Sequence, residues 1–337
     1  MKKLFLMGLA AAAMLASCSK DETVEMPKSK AISFTNAFVN NGTRSIVDPS
    51  FTTSTLQNFR VYGFSNTDKV FDGTEVTNES GTWSYQNPVY WFEDHVYTFG
   101  AIAPSSVTAT SATLNGDKVD MTVNFTNNGT TDLLYAAPDQ VTANADFLAD
   151  PQPVALTFNH QLAKVKFSFE NGLGAGYNMT VENVNITNGW ASGTLTVGTT
   201  NGWSDQVGIQ PLAFGNVVAD GTDTDADVIA NGVQAETYNE KLMIPSAAEK
   251  KYTATFTVKV YDGDALMDTY EHTVEISGVE LKLGYCYDFK ATITMANVDP
   301  EQPLTPIEFN PSVSGWTDGG EPQWIFPRLV TDYAIGT

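Results

Sequence analysis

The feature that most constrains this chain is the short period of its hydrophobic pattern. From residue 31 onward, apolar and polar residues alternate in brief runs separated by Gly, Asn, Asp and Pro. Examples are Arg60–Phe64, Val96–Phe99, Val165–Phe169, Tyr252–Val260 and Cys286–Ile293. A period of two puts alternate side chains on opposite faces of a strand, and no long stretch carries the 3.6-residue period of an amphipathic helix. The expectation is an all-β chain whose sheets, antiparallel and covered on one face, pair into sandwiches. Asn127-Asn128-Gly129-Thr130 supplies residues that tolerate positive φ and reads as a turn. Gly172-Leu173-Gly174-Ala175-Gly176 looks like part of a dinucleotide loop, but a strand pattern from Met179 follows it where that motif requires a helix. The polar link Asp150-Pro151-Gln152-Pro153 divides the pattern, which predicts two tandem β-sandwich domains, 31–155 and 156–316, meeting between residues 150 and 162.

The N-terminus reads as an export signal. Lys2 and Lys3 precede an apolar stretch, Leu4–Ala16, too short for an ordinary membrane helix. Leu15-Ala16-Ser17-Cys18 closes it, and a cysteine there is the nucleophile that lipoprotein processing needs. The expectation is a signal peptide over 1–17, a lipid on Cys18 and a polar tether over 18–30, which anchors the protein without spanning the membrane. Ser19-Lys20-Asp21-Glu22 is similar to the acidic signal that sends some Gram-negative lipoproteins to the outer face of the outer membrane.

Charge and cysteine usage exclude several classes. With 18 Lys+Arg against 39 Asp+Glu the net charge is -21, and such a surface repels phosphate backbones, so no nucleic-acid partner is expected. Two cysteines allow neither a disulfide framework nor a zinc-ligand spacing. No nucleophile elbow, zinc-protease helix or phosphate loop occurs. His95, His160 and His272 fall in separate segments, where structural or surface roles are expected. Asp220, Asp223, Asp225 and Asp227 are oxygen-rich, yet Val228 stands where a calcium hand requires glycine, so a solvated loop is expected. The aromatic series Trp83, Tyr85, Tyr90, Trp91, Tyr97 and Phe99 reads as core rather than as a sugar platform. Cys286 is read as a small core residue in a strand. The chain is not expected to be an enzyme, and no cofactor or metal is expected.

Several segments in fixed order carry a resemblance. They are the lipoprotein start, Trp83-Ser84-Tyr85 with Tyr90-Trp91, Tyr97–Pro104, Asp132-Leu133-Leu134-Tyr135-Ala136, Leu156–Val165, Ile244-Pro245 and Leu283–Phe289. Through them the chain resembles the fimbrillin family, which includes the Mfa-like and fimbrillin-A-like subunits of type V pili. The resemblance implies transthyretin-like sandwiches, a place at the cell surface and other fimbrillin subunits as partners. It also implies assembly in which an Arg-specific or related protease removes the first strand and a strand of another subunit fills the groove.

Two readings of function stay open: a structural pilus subunit, and a surface lipoprotein that acts as adhesin or glycan-binding tip. A polymerising subunit needs a segment to donate. Residues 317–337 follow Trp316 and include Trp324, Phe326, Leu329, Val330, Tyr333 and Ile335, which is apolar for a tail. At roughly 3.3 Å per residue, Glu321–Thr337 reaches about 55 Å. The alternative is a last strand of its own domain, against which Pro322 and Pro327 count. The cleavage candidate is Arg44, followed by Ser45, in the turn-like Asn40–Ser45; Arg60 sits inside a strand pattern. Upstream of Arg44, Ile32, Phe34 and Phe38 recur at strand spacing and can fill one groove.

Overall fold

The computed structural model describes residues 30–39, 56–219, 224–298 and 305–316. Among these residues the fold is all-β, with two helices of a single turn each. In the first half the strands are β1 (Phe34–Val39), β2 (Asn58–Ser65), β3 (Asp68–Glu79), β4 (Thr82–Ser84), β5 (His95–Ala103), β6 (Ser111–Asn115), β7 (Lys118–Thr126), β8 (Leu134–Ala136) and β9 (Val141–Ala143). Helix α1 (Ala145–Ala149) is capped by Asn144, whose side chain accepts from the Phe147 N–H, and β10 (Val154–His160) follows. The second half holds β11 (Ala163–Gly172), β12 (Tyr177–Gly189), β13 (Ser192–Val197), β14 (Gly202–Val207), β15 (Gln210–Gly215), β16 (Val217–Val218), β17 (Gln234–Thr237) and β18 (Lys241–Met243). It closes with β19 (Tyr252–Asp262), β20 (Ala265–Ile276), β21 (Tyr285–Thr294), α2 (Met295–Val298) and β22 (Asn310–Gly315).

These strands form four sheets. The first runs β1-β10-β8-β5-β2-β3-β4, with β9 also on β5. Its strand β10 extends the N-terminal sheet through His160, across the 150–162 link. The second runs β14-β13-β7-β6, so a hairpin from the C-terminal half completes a sheet begun in the N-terminal half. The third (β16-β17-β11-β21-β22, with β18 on β11) and the fourth (β15-β12-β19-β20) face each other in the C-terminal half.

Three cores explain the burial. One face of the first sheet packs inward around Phe34, Phe59, Phe99 and Phe158. Its other face, through Tyr62, Phe64 and Ile102, packs on Val119, Met121, Leu195 and Val197 of the second sheet. With both faces covered, β2 and β5 are buried almost continuously, although alternation of buried and wet positions was expected for them. The third core lies between the third and fourth sheets, where β10-like alternation persists in β19. A further departure from expectation is that two pairings are parallel, β1 with β10 and β11 with β21. Each partner returns by a long connection made of other strands rather than a crossover helix.

Candidate functional site

The site is built around the first strand. β1 is an edge strand, parallel to β10, with Phe34 opposite Val154 and Thr35 opposite Ala155. The register then slips: Phe38 faces Thr157, so β1 holds one residue more than β10 between these points. The residues just before β1 are tied on the other side to the segment after β4. Ile32 N–H donates to Val89 O (2.7 Å) and Trp91 N–H to Lys30 O (3.3 Å). Tyr85 Oη donates to Ile32 O (2.7 Å), and Val154 N–H donates to Ser33 O (2.8 Å). The chain over 30–35 therefore lies in a groove with hydrogen bonds on both walls.

The floor of that groove is aromatic. Phe34 is 4% exposed, and its ring meets Phe59, Phe71, Tyr85 and Phe99 at centroid distances of 5.8–5.9 Å, in edge-to-face geometry. Such pairs contribute roughly 0.5–1.5 kcal/mol each beyond simple burial. Gly63 makes the floor possible: a Cβ there would stand 2.8 Å from the Phe99 ring, so any side chain would displace the rings beneath Phe34. Burial pushes the Tyr85 phenol above its ordinary pKa, against the opposing hydrogen bond it accepts from Val89 N–H. It therefore stays a donor to Ile32 O at neutral pH.

The other end of the described chain is fastened where the two halves meet. His160 Nδ1–H donates to Asp132 Oδ2 (2.7 Å), both side chains being almost fully buried. The Trp316 ring stacks on His160 at 3.5 Å and Lys164 Nζ lies 5.3 Å from its centroid, while the Trp316 backbone N–H donates to Gly284 O (2.7 Å). Lys164 in turn pairs with Glu240 at 3.0 Å. Trp316, the last described residue, is thus held by both halves.

The sequence pattern of the fimbrillin-like family matches residues 43–316, most of the chain. The chain belongs to the fimbrillin-like family. Its fold is similar to that of a fimbrial protein from Bacteroides vulgatus, with 16% identity, a TM-score of 0.56, and 82% of this chain and 99% of that one covered. A proposed cell adhesion protein from Bacteroides uniformis is similar at 18% identity and a TM-score of 0.51, over 87% of this chain and 99% of that one. No curated protein matches the sequence.

Of the residues singled out from the sequence of this fimbrillin-like chain, Cys18, Arg44, Ser45, Trp324, Phe326, Leu329, Val330, Tyr333 and Ile335 lie outside the described residues. Arg60 is held inside the first sheet: its backbone pairs with Glu75 and Ile102, and its guanidinium donates to Ser105 O and Gly73 O. Trp91, Tyr97 and Phe99 are buried and Trp83 and Tyr85 half-buried, as a core role requires, but Tyr90 is exposed. Strand alternation fails at Tyr90 because it stands in an isolated bridge to Ala31, outside any regular strand. His95, His160 and His272 sit on three different strands. Asp227 accepts from Ala219 N–H, and Asp220 and Asp223 lie outside the described residues. Cys286 is half-buried beside the junction core. The Asp132–His160–Trp316 stack was not foreseen, although Asp132 and His160 both lie in the segments that carried the resemblance.

Proposed function

We propose that this chain is a structural subunit of a cell-surface fimbrium that assembles by strand exchange. It is exported as a lipoprotein on Cys18, cleaved between Arg44 and Ser45 to free β1, and joined by a neighbour whose tail, Glu321–Ile335, occupies the emptied groove. The observation that carries this reading is the placing of Ile32 and Phe34: an edge strand whose ladder is interrupted, with the residues just before it, supplies the centre of an aromatic core. A replacement strand would recover both the wall hydrogen bonds and the burial, which at roughly 1.5–3 kcal/mol per large apolar side chain amounts to several kcal/mol. The family match also begins at residue 43 and ends at 316, so β1 and the tail both lie outside it.

The adhesin or tip-subunit reading is the second, favoured by the cell adhesion role proposed for the relative from Bacteroides uniformis. To separate them, purified precursor is treated with an Arg-specific protease, its new N-terminus is sequenced, and polymers are sought by gel and electron microscopy. Arg44→Ala and a chain ending at Gly320 are run beside it. A start at Ser45 with polymers lost in both variants is expected. Cut protein that stays monomeric, or full polymerisation by both variants, leaves the adhesin as the better reading. Cys18→Ala should abolish acyl labelling, and continued labelling would move the anchor elsewhere.

A further inference from the structure

The groove reads more than apolar character. Its first anchor, Ile32, needs a backbone N–H for Val89 O and a carbonyl for Tyr85 Oη. Its second, Phe34, stands two residues on in the pocket of four aromatic rings. The ladder with β10 resumes at Phe38, six residues after Ile32, once the extra residue of β1 has been passed. The segment to be replaced carries apolar residues at Ile32, Phe34 and Phe38, spaced by two and then four, and an occupant is matched to that sequence pattern. The occupant's first anchor cannot be proline.

We infer that the occupant is residues 324–330 of a second copy of this chain, laid in the frame that puts Trp324 at Ile32, Phe326 at Phe34 and Val330 at Phe38. This rests on the strand-exchange reading above and adds the register. Within Glu321–Thr337 only two frames have apolar residues at all three places: Trp324/Phe326/Val330 and Pro327/Leu329/Tyr333. The second puts a proline where the N–H to Val89 O is needed, and an aliphatic side chain in the Phe34 pocket. The first returns a phenyl ring to that pocket. It costs something too, because Pro327 then falls at Thr35. That is the last position before the register slips, so the loss is confined to one ladder bond, about tenfold in affinity or less. Arg328 and Leu329 cover the slipped stretch, where β1 itself carries its extra residue.

The frame is tested by cross-linking between copies. Ala155 is exposed and lies opposite Thr35, so Ala155→Cys on the accepting copy reports which tail residue takes the Thr35 place. Accepting and donating copies both carry Cys18→Ser and Cys286→Ala, and the accepting copy is opened with the Arg-specific protease. Pro327→Cys on the donor should form the disulfide, and Val330→Cys, which would face Ala155 in the second frame, should not. As a further measurement, a labelled peptide of residues 321–335 is titrated onto opened full-length subunit. Phe326→Ala should weaken it about a hundredfold and Ile335→Ala less than twofold. Cross-linking by Val330→Cys instead, by both, or by neither in polymers that do form overturns the frame, as does equal loss from the two peptide variants. If unmodified opened subunits form no polymer and bind no peptide, strand exchange fails and the frame falls with it.

Discussion

The core around Phe34 and the core of the C-terminal half solve the same packing problem with opposite use of their edges. In the C-terminal half the centre is made by interior strands: β11 and β21 pair in parallel over nine consecutive positions, Lys164–Gly172 with Cys286–Thr294. The edge strand β22 adds mostly half-buried side chains and is held by six unbroken antiparallel pairs to β21. In the first half the edge strand β1 has an interrupted ladder, yet it and the residues just before it contribute Phe34 and Ile32 to the middle of the core. One edge is fastened by its backbone, the other by its side chains. A strand of the second kind depends more on the side chains it buries than on an unbroken ladder.

The largest expected effect separates the two edges directly. Phe34→Ala should destabilise the first core by about 3–5 kcal/mol, while Val313→Ala on β22 should cost about 1 kcal/mol. Thermal or urea unfolding of both variants checks this, and equal losses would end the distinction.

A smaller effect arises from alkali in the C-terminal core. Tyr252 and Tyr287 are each pushed up to about 12 by burial, and the Tyr252 hydroxyl is hydrogen-bonded to Ser246 Oγ. Their folded pKa lies above the unfolded value near 10, so the stability they contribute is complete below pH 10 and is lost as pH rises toward 12. Denaturant titrations across that window should show a fall of about 2 kcal/mol per tyrosine, reduced by that amount in Tyr252→Phe. A Tyr252→Phe profile that matches the parent would show that the hydroxyl is not sealed from water.

The smallest effect lies on β20. His272 stacks on Phe256, and burial holds its pKa below the ordinary 6.5. A depressed histidine contributes stability above pH 6.5 that is lost as pH falls through its folded value. The ring is partly open to water, so the loss should stay under about 1 kcal/mol. His272→Phe should remove this acid dependence and leave the first core untouched; a change in hydrogen exchange at Ile32 would mean that the two cores are coupled.

Much of this architecture was legible in residue order. The alternation at Val165–Phe169, Tyr252–Val260 and Cys286–Ile293 gave β11, β19 and β21, because each of these strands has a face that the period marks. Ile32 and Phe34 stood out as groove fillers for the same reason. Pairing partners were not legible: nothing local distinguishes β13 as a neighbour of β7 from β13 as a neighbour of β12, since both would bury Leu195 and Val197. Nor does the pattern reveal a two-faced strand such as β5, where apolar runs erase the period. The junction of Asp132, His160 and Trp316 joins residues far apart in sequence, and only the closed fold brings them together.

The hairpin β13–β14 sets the order in which the protein can mature. Until Ser192–Val207 has emerged, β7 is an open edge, and Met121 and Val123 lack the residues that pair across from them, Val197 opposite Met121 and Leu195 opposite Val123. The first half, though complete in sequence before then, cannot finish folding while its neighbour is still being synthesised. Partial chains would therefore expose a sticky edge, and a chaperone that shields β7 would be most needed in the interval before Val207 arrives.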